Sequence, residues 1–138
     1  MRIFTSRFAN KGLRERPDLV IVCIAVGSPR WRVGYEWVKC RCLAPYGLRK
    51  LKGEQFQEAY LANLDALGVE PIRTELEKIS EAHGGKDLVL LCYENLSEPG
   101  LWCHRSVFAD WWWKATGQPV FELEADPAQQ QTHQMGLC

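Results

Sequence analysis

The sequence lacks any long run of apolar residues, and this absence excludes several classes of protein. No stretch is long enough to span a bilayer, and residues 1–5 show none of the hydrophobic character of a signal peptide. No internal repeat and no second domain are visible. We therefore expect a single cytoplasmic α/β domain over residues 1–125, with no membrane partner. Its six cysteines are then reduced thiols rather than the disulfide framework of a secreted protein.

The spacing of a structural zinc site is also missing. Zinc knuckles offer two closely spaced pairs of ligands, and the pair formed by Cys40 and Cys42 has no second such pair to match it. We therefore assign no metal ligands and no particular cofactor. A zinc site that combines Cys92, Cys103 and His104 with a further cysteine stays open as an alternative.

The formal net charge is zero, but the charges are unevenly placed. Residues 1–52 hold 12 of the 17 Lys/Arg residues and only 3 of the 17 Asp/Glu residues. Such asymmetry predicts a cationic surface that suits phosphate-bearing partners, either a small molecule or a nucleic acid. The alternative is that the fold interleaves the two halves, so that their fields cancel.

Short apolar strands alternate with amphipathic helices. Strands are predicted at residues 2–5, 18–26, 88–92 and 120–123, and helices at 54–67, 71–83 and 103–116. This alternation predicts βαβ crossovers and a mostly parallel sheet of about four to five strands. Residues 30–52 lack periodicity and are expected to form a long structured loop with short turns, whereas the polar tail 126–138 is expected to be disordered.

Three consecutive tryptophans, Trp111, Trp112 and Trp113, fall in the last predicted helix. Neighbouring helical residues point about 100° apart, so the three rings cannot all face a core. We expect at least one ring near the surface, packed under a loop or presented to a partner.

The stretch that carries chemistry starts at the end of the predicted strand 88–92. This strand ends in Cys92, and after a short loop Cys103, His104 and Arg105 open the next helix. The tip of a strand beside a helix N-terminus is where open α/β sheets place their ligands. The sequence therefore predicts one site that contains all four side chains.

Cys103 is the candidate nucleophile of this site. The helix dipole, His104 and Arg105 would all favour its thiolate form, and the same groups would bind an anion without any covalent step. Glu94 follows the strand and is the candidate base or orienting group, while His104 would transfer protons or fix Cys103 in place. The alternative is that Cys103 packs inward and Arg105 forms a structural ion pair with Glu94.

Two other groups of residues suit ligand binding. Ser6 and Arg7 follow the first strand and offer a hydroxyl and a cation for phosphate. Arg30 and Trp31 combine a cation with an aromatic ring, the composition of a surface that binds a nucleobase. The alternatives are a solvated loop for the first pair and, for Trp31, a ring that covers the sheet edge.

These segments together resemble the family catalogued as domain of unknown function 488, and especially its branch found in phage genomes. The specific part of the resemblance is Leu90–Glu94 with Cys103–Arg105, and the supporting segments are Ile3–Phe8, Ser28–Trp31, Leu43–Pro45, and Phe56 with Tyr60. The resemblance implies a small Rossmann-like, three-layer α/β domain in a bacterial cell, with Ser6 and Arg7 joining the cysteine site. Some members are similar to components encoded beside nucleic-acid modification or repair systems.

The leading hypothesis is a bacterial or phage-encoded protein that acts on or binds a nucleotide or nucleic-acid base, in DNA modification or repair. The alternatives are a non-catalytic binding module for a nucleotide-like molecule or a protein partner, and a structural zinc protein. The hypothesis fails if the sulfur of Cys103 faces dry core. The candidate catalytic residues are Cys103, Glu94 and His104, and the candidate ligand-binding residues are Arg105, Arg7, Ser6, Cys92, Arg30 and Trp31.

Overall fold

The structure, a computed structural model, describes residues 1–93 and 103–123. Glu94 and the predicted tail 126–138 lie outside the described residues. None of the described helices combines the length and the hydrophobicity needed to cross a bilayer. The elements are strands β1 (Ile3–Arg7), β2 (Leu19–Cys23), β3 (Val38–Lys39), β4 (Asp87–Cys92) and β5 (Phe121–Glu122), helices α1 (Gly53–Leu67), α2 (Val69–Ala82) and α3 (His104–Thr116), and 3-10 helices Lys11–Glu15 and Arg41–Leu43.

The five strands form one sheet in which every pair is parallel, in the order β3-β2-β4-β1-β5. The mostly parallel sheet predicted from the alternation of strands and helices is confirmed. β2 and β4 lie inside the sheet, and their side chains are apolar on both faces, as expected for strands covered from both sides.

Three layers make up the domain. On one face of the sheet the three α-helices pack against the strands through Tyr60, Leu64, Ile72, Leu76, Phe108 and Trp112. On the other face the 3-10 helix Lys11–Glu15 and the loops cover the sheet through Phe8, Leu13, Val33, Tyr35 and Trp37. The predicted small three-layer α/β domain is therefore confirmed, with loops and one 3-10 helix as its second outer layer.

Most predicted boundaries agree with the structure to within a few residues. α1 ends at Gly68, whose φ is +82°, and α3 ends at Gly117, whose φ is +79°. Both angles lie in the region that favours glycine. β2 ends at Cys23 rather than at Val26, and the segment 30–52 contains the short strand β3, which the sequence analysis did not identify.

The connection that follows β1 and the connection that follows β4 cross opposite faces of the sheet. From β1 the chain crosses the loop-covered face to β2, whereas from β4 it crosses the helical face through α3 to β5. The carboxyl ends of β1 and β4 therefore flank a topological switch point, where parallel sheets bind their ligands. Arg7 lies opposite Cys92 at this point.

Candidate functional site

Two cysteines meet at the switch point. Cys92 is the last residue of β4, and Cys103 immediately precedes α3. The structure joins their sulfur atoms in a disulfide bond, so the expectation that all six cysteines are reduced thiols is wrong for this pair. The two sulfurs and one ring nitrogen of His104 lie within 4.8 Å of one another. The predicted meeting of the strand tip and the helix start has thus placed three polarisable donor atoms in one cluster.

The backbone spacing of the two cysteines bears on their chemistry. Their Cα atoms lie 7.2 Å apart, whereas disulfide-bonded pairs usually span about 4.4–6.8 Å. The spacing is wider than this range, and reduction of the bond would leave two neighbouring thiols at the switch point.

His104 is held as a neutral proton acceptor. Its Nε2 lies 2.6 Å from the carbonyl oxygen of Ile24, and because a carbonyl only accepts, Nε2 carries the proton. Nδ1 then presents its lone pair to the sulfur of Cys103, 3.6 Å away. Burial, with a smaller contribution from the nearby Arg105 guanidinium, lowers the pKa of His104 to about 4, against the opposing effect of the Ile24 hydrogen bond.

The orientation of the imidazole is fixed by packing as well as by hydrogen bonding. Its ring lies edge-on to Tyr60, with the centroids 5.3 Å apart, and tilted to Phe56 at 6.4 Å. Tyr60 is itself anchored, because its hydroxyl donates to the carbonyl of Leu43 at 2.6 Å. α1 therefore holds the ring that faces the Cys103 thiol.

Arg105 places a positive charge against Cys92. Its Nη1 lies 3.0 Å from the Cys92 sulfur, and its Nε and Nη2 donate to the Glu122 carboxylate at 2.8–3.2 Å. The side chains of Arg105 and Glu122 are 0% and 2% exposed. Arg105 therefore bridges the Glu122 carboxylate and the Cys92 sulfur.

The carboxylate that pairs with Arg105 is a residue that the sequence analysis did not single out. Glu122 lies in β5 opposite Thr5 of β1, whose hydroxyl donates to Glu122 Oε1 at 2.7 Å. The sequence offers one indication of a buried ion pair: Glu122 lies inside the apolar segment 120–123. Burial of an unpaired carboxylate there would cost free energy of folding. The alternative pairing of Arg105 with Glu94 falls outside the described residues.

The predicted phosphate ligands Ser6, Arg7 and Arg105 all interact with other parts of the domain. Ser6 is buried, its hydroxyl donates to the carbonyl of Leu123 at 2.6 Å, and it accepts from the Asn10 side-chain amide at 3.0 Å. These contacts tie β1 to the end of β5 and favour a structural role for Ser6. Arg7 is half-buried and lies at the switch point. Phosphate binding by all three residues stays a prediction.

A row of aromatic rings borders the switch point. Phe8 and Tyr93 directly follow β1 and β4, and their rings stack at 5.1 Å. Trp31 lies edge-on to Tyr93 at 6.0 Å and is 48% exposed. Arg30 is exposed beside it. Trp31 of the predicted pair thus contacts Tyr93, the residue that directly follows Cys92. Arg30 is its neighbour in the chain.

Cys103 itself is buried. It is 2% exposed and packs with the apolar residues of the loop-covered face, although its sulfur faces His104 and Cys92 rather than carbon alone. A cavity of about 490 Å³ lies elsewhere, beside β2 and Trp37, and none of the predicted site residues lines it.

Comparisons of the chain with protein-family models, with curated proteins and with solved structures found no match. The resemblance to domain of unknown function 488 therefore stays a prediction.

Proposed function

We propose that the protein uses the Cys92–Cys103–His104 cluster to act on or bind a nucleotide or nucleic-acid base. The observation that carries the proposal is the convergence of two sulfurs, an imidazole and a guanidinium at the switch point of a parallel sheet. Clusters of titratable groups with such specific partners mark functional sites. An intracellular setting, in a bacterium or a phage-infected cell, and a role in nucleic-acid modification belong to the same proposal.

In this proposal the Cys92–Cys103 bond is reduced, Cys103 is the nucleophile and His104 is its proton acceptor. The Cys103 sulfur would add to an electrophilic ring carbon of the nucleobase as the S–H proton passes to Nδ1 of His104; the ring double bond at that carbon opens, and the adjacent ring atom takes its electron pair and then a proton. The geometry supports this direction of transfer, since Nδ1 is the ring nitrogen that has a free lone pair and faces the sulfur. Arg105 would hold the neighbouring Cys92 as a thiolate, and Glu94 keeps its proposed role as orienting group.

The nucleotide part of the proposal is supported by the surroundings of the cluster. Half-exposed Trp31 offers a flat ring next to Tyr93, and bases of any sequence stack on such rings. Exposed Arg30 and half-buried Arg7 would supply positive charge for phosphate. The base would then lie on the aromatic row, with its reactive edge toward the thiols.

Nucleotide protection tests this proposal. Purified, reduced protein is treated with iodoacetamide in the presence of nucleoside monophosphates or a short single-stranded oligonucleotide, and each cysteine is quantified by mass spectrometry. We expect the nucleotides to raise Tm and to slow modification of Cys103. Trp31→Ala should weaken binding by about tenfold or more, because a stacked base contributes about 1–3 kcal/mol.

Trp113→Ala is the matched control, since Trp113 is also partly exposed but belongs to α3. Protection without any chemical change in the nucleotide would favour the non-catalytic binding module. If no nucleotide or oligonucleotide raises Tm or protects Cys103, the nucleotide proposal is wrong.

A zinc site is the second candidate, and a specific observation favours it. Two sulfurs and one imidazole nitrogen lie within 4.8 Å of one another, the donor set of a catalytic zinc site with an open fourth position. The Nε2–H of His104 donates to a backbone carbonyl, as metal-bound histidines usually do.

Metal analysis of the purified protein distinguishes the two candidates. One equivalent of zinc that blocks alkylation of Cys92 and Cys103, and is lost in His104→Gln, would support the zinc site. Protein that lacks zinc and does not take it up during titration would exclude it.

A further inference from the structure

A second pair of cysteines lies apart from the cluster at the switch point. Cys40 directly follows β3, and Cys42 lies in the 3-10 helix Arg41–Leu43. The turn at Arg41 brings both side chains to the same side, so that their sulfur atoms are 3.5 Å apart. Both thiols are free in the structure.

The two thiols of this pair differ in access and in acidity. Cys40 is 4% exposed and packs among the core residues beneath α1, whereas Cys42 is half-buried. The hydrogen bond between the sulfurs lowers the pKa of Cys42 and raises that of Cys40, although the Glu75 carboxylate opposes the effect on Cys42. The accessible sulfur is therefore also the one that favours the thiolate.

Cys42 opens on a cavity that has room for a small molecule. The cavity has a volume of about 290 Å³, and its other lining residues come from the end of α1 and the first half of α2. Leu67, Pro71 and Ile72 give it an apolar wall. A nucleophilic thiol with a buried second thiol behind it, facing a small cavity, is the arrangement of a dithiol exchange site.

We propose that Cys40 and Cys42 form a second thiol site, which reduces small-molecule disulfides. The Cys42 thiolate attacks one sulfur of the disulfide, the S–S bond breaks, and the first thiol leaves after taking up a proton. Cys40 then loses its proton and attacks the Cys42 sulfur of the mixed disulfide, which releases the second thiol. The protein dithiol loses two electrons and two protons, and the disulfide gains them.

Oxidised glutathione is the probe, and peptide mapping by mass spectrometry is the measurement. Trypsin cleaves after Arg41, so a Cys40–Cys42 disulfide joins two peptides that otherwise separate. We expect the joined peptides in the wild-type protein after treatment. In Cys40→Ser the second step is blocked, so we expect glutathione attached to Cys42 to rise about tenfold over wild type.

Cys42→Ser should leave Cys40 without glutathione, because Cys40 is buried, and fully buried Cys23 serves as the internal reference. The inference is overturned if the wild-type protein forms no joined peptides, or if Cys40 is modified as readily as Cys42. If Cys40→Ser does not fold, the peptide map of the wild-type protein still tests the inference. The readout is confined to the two peptides and involves no nucleotide, so it is independent of the proposed function.

Discussion

At the scale of single residues, the ion pair of Arg105 and Glu122 has the largest consequences, because both charges are removed from water. A buried charge is tolerated only when it is paired and hydrogen-bonded. Here Glu122 accepts from Arg105 and from Thr5, while Arg105 also reaches the Cys92 sulfur. Arg105 therefore takes part both in an ion pair that stabilises the fold and in the surroundings of the Cys92 sulfur.

Removing one partner should therefore be costly. Glu122→Gln leaves the Arg105 charge unpaired in the core, and we expect a loss of about 3–5 kcal/mol in the free energy of unfolding. The double variant Arg105→Met/Glu122→Leu removes both charges and should recover most of that loss. Urea denaturation measures both effects.

The exposed pair of Lys114 and Asp110 is the control. Its atoms lie at 2.8 Å, the same distance as in the buried pair, but its side chains are 68% and 41% exposed. Asp110→Asn should cost less than about 1 kcal/mol. Equal losses for Glu122→Gln and Asp110→Asn would contradict the buried ion pair.

His104 should make stability depend on pH. Its pKa is lowered to about 4 in the folded protein, against about 6.5 in an unfolded chain. The unfolded state therefore binds the proton first as pH falls, and about 3 kcal/mol of stability should be lost between about pH 6.5 and pH 4. Above that window the contribution is fully present.

His104→Gln keeps a donor for the Ile24 carbonyl but does not titrate, so its unfolding free energy should change less with pH over this window. His83 is exposed, and His83→Gln should behave like the wild-type protein. A pH dependence that is the same in all three proteins would show that His104 is not held neutral by burial.

At the scale of elements, α3 has two tasks: its first turn carries His104 and Arg105, and its later turns fill the core. Trp112 is fully buried, stacks on Phe108 at 5.7 Å and donates its Nε1–H to Gln118 at 2.8 Å. Trp113 is 37% exposed. The prediction that one of the three tryptophan rings lies near the surface is confirmed.

Alanine substitutions of Trp112 and Trp113 should differ in their effect on stability. Trp112→Ala removes a buried ring and should cost about 3–5 kcal/mol. Trp113→Ala changes a partly exposed position and should cost within about 1 kcal/mol. Thermal or urea denaturation of the two variants tests the assignment, and similar losses would contradict the orientation of α3.

Local signals explain which elements the sequence could predict. Gly68 and Gly117 mark helix ends because glycine adopts positive φ at little cost, and the apolar runs of β2 and β4 are visible without any partner. β3 has two residues and shows no periodicity, so only its pairing with β2 identifies it. The strand was therefore beyond the reach of pattern analysis.

At the scale of the whole molecule, the site draws on distant parts of the chain. The parallel sheet brings the carboxyl ends of β1, β4 and β5 to one edge, and α3 begins there. Because the carboxyl ends of parallel strands meet at one edge, the sequence could predict that one site contains Cys92, Cys103, His104 and Arg105. It could not reveal Glu122 or the Ile24 carbonyl, because their contacts arise only when β2, β5 and α3 are assembled.

The cationic first half of the chain contributes to the same edge. Arg7 is the last residue of β1, Arg30 and Arg32 follow β2, and Arg41 follows β3. All except half-buried Arg7 are exposed. In the proposed function, these arginines would supply the positive charge that attracts the phosphate of a nucleotide.

The central claim is that Arg105 and His104 activate the two thiols at the switch point. The measurement that tests it most directly is the rate of alkylation of Cys92 and Cys103 in the reduced protein as a function of pH, followed separately by mass spectrometry, with glutathione as the reference thiol. We predict that at least one of the two reacts with a midpoint below that of glutathione, and that Arg105→Met/Glu122→Leu raises this midpoint. Midpoints at or above that of glutathione, unchanged in the double variant, would contradict the claim.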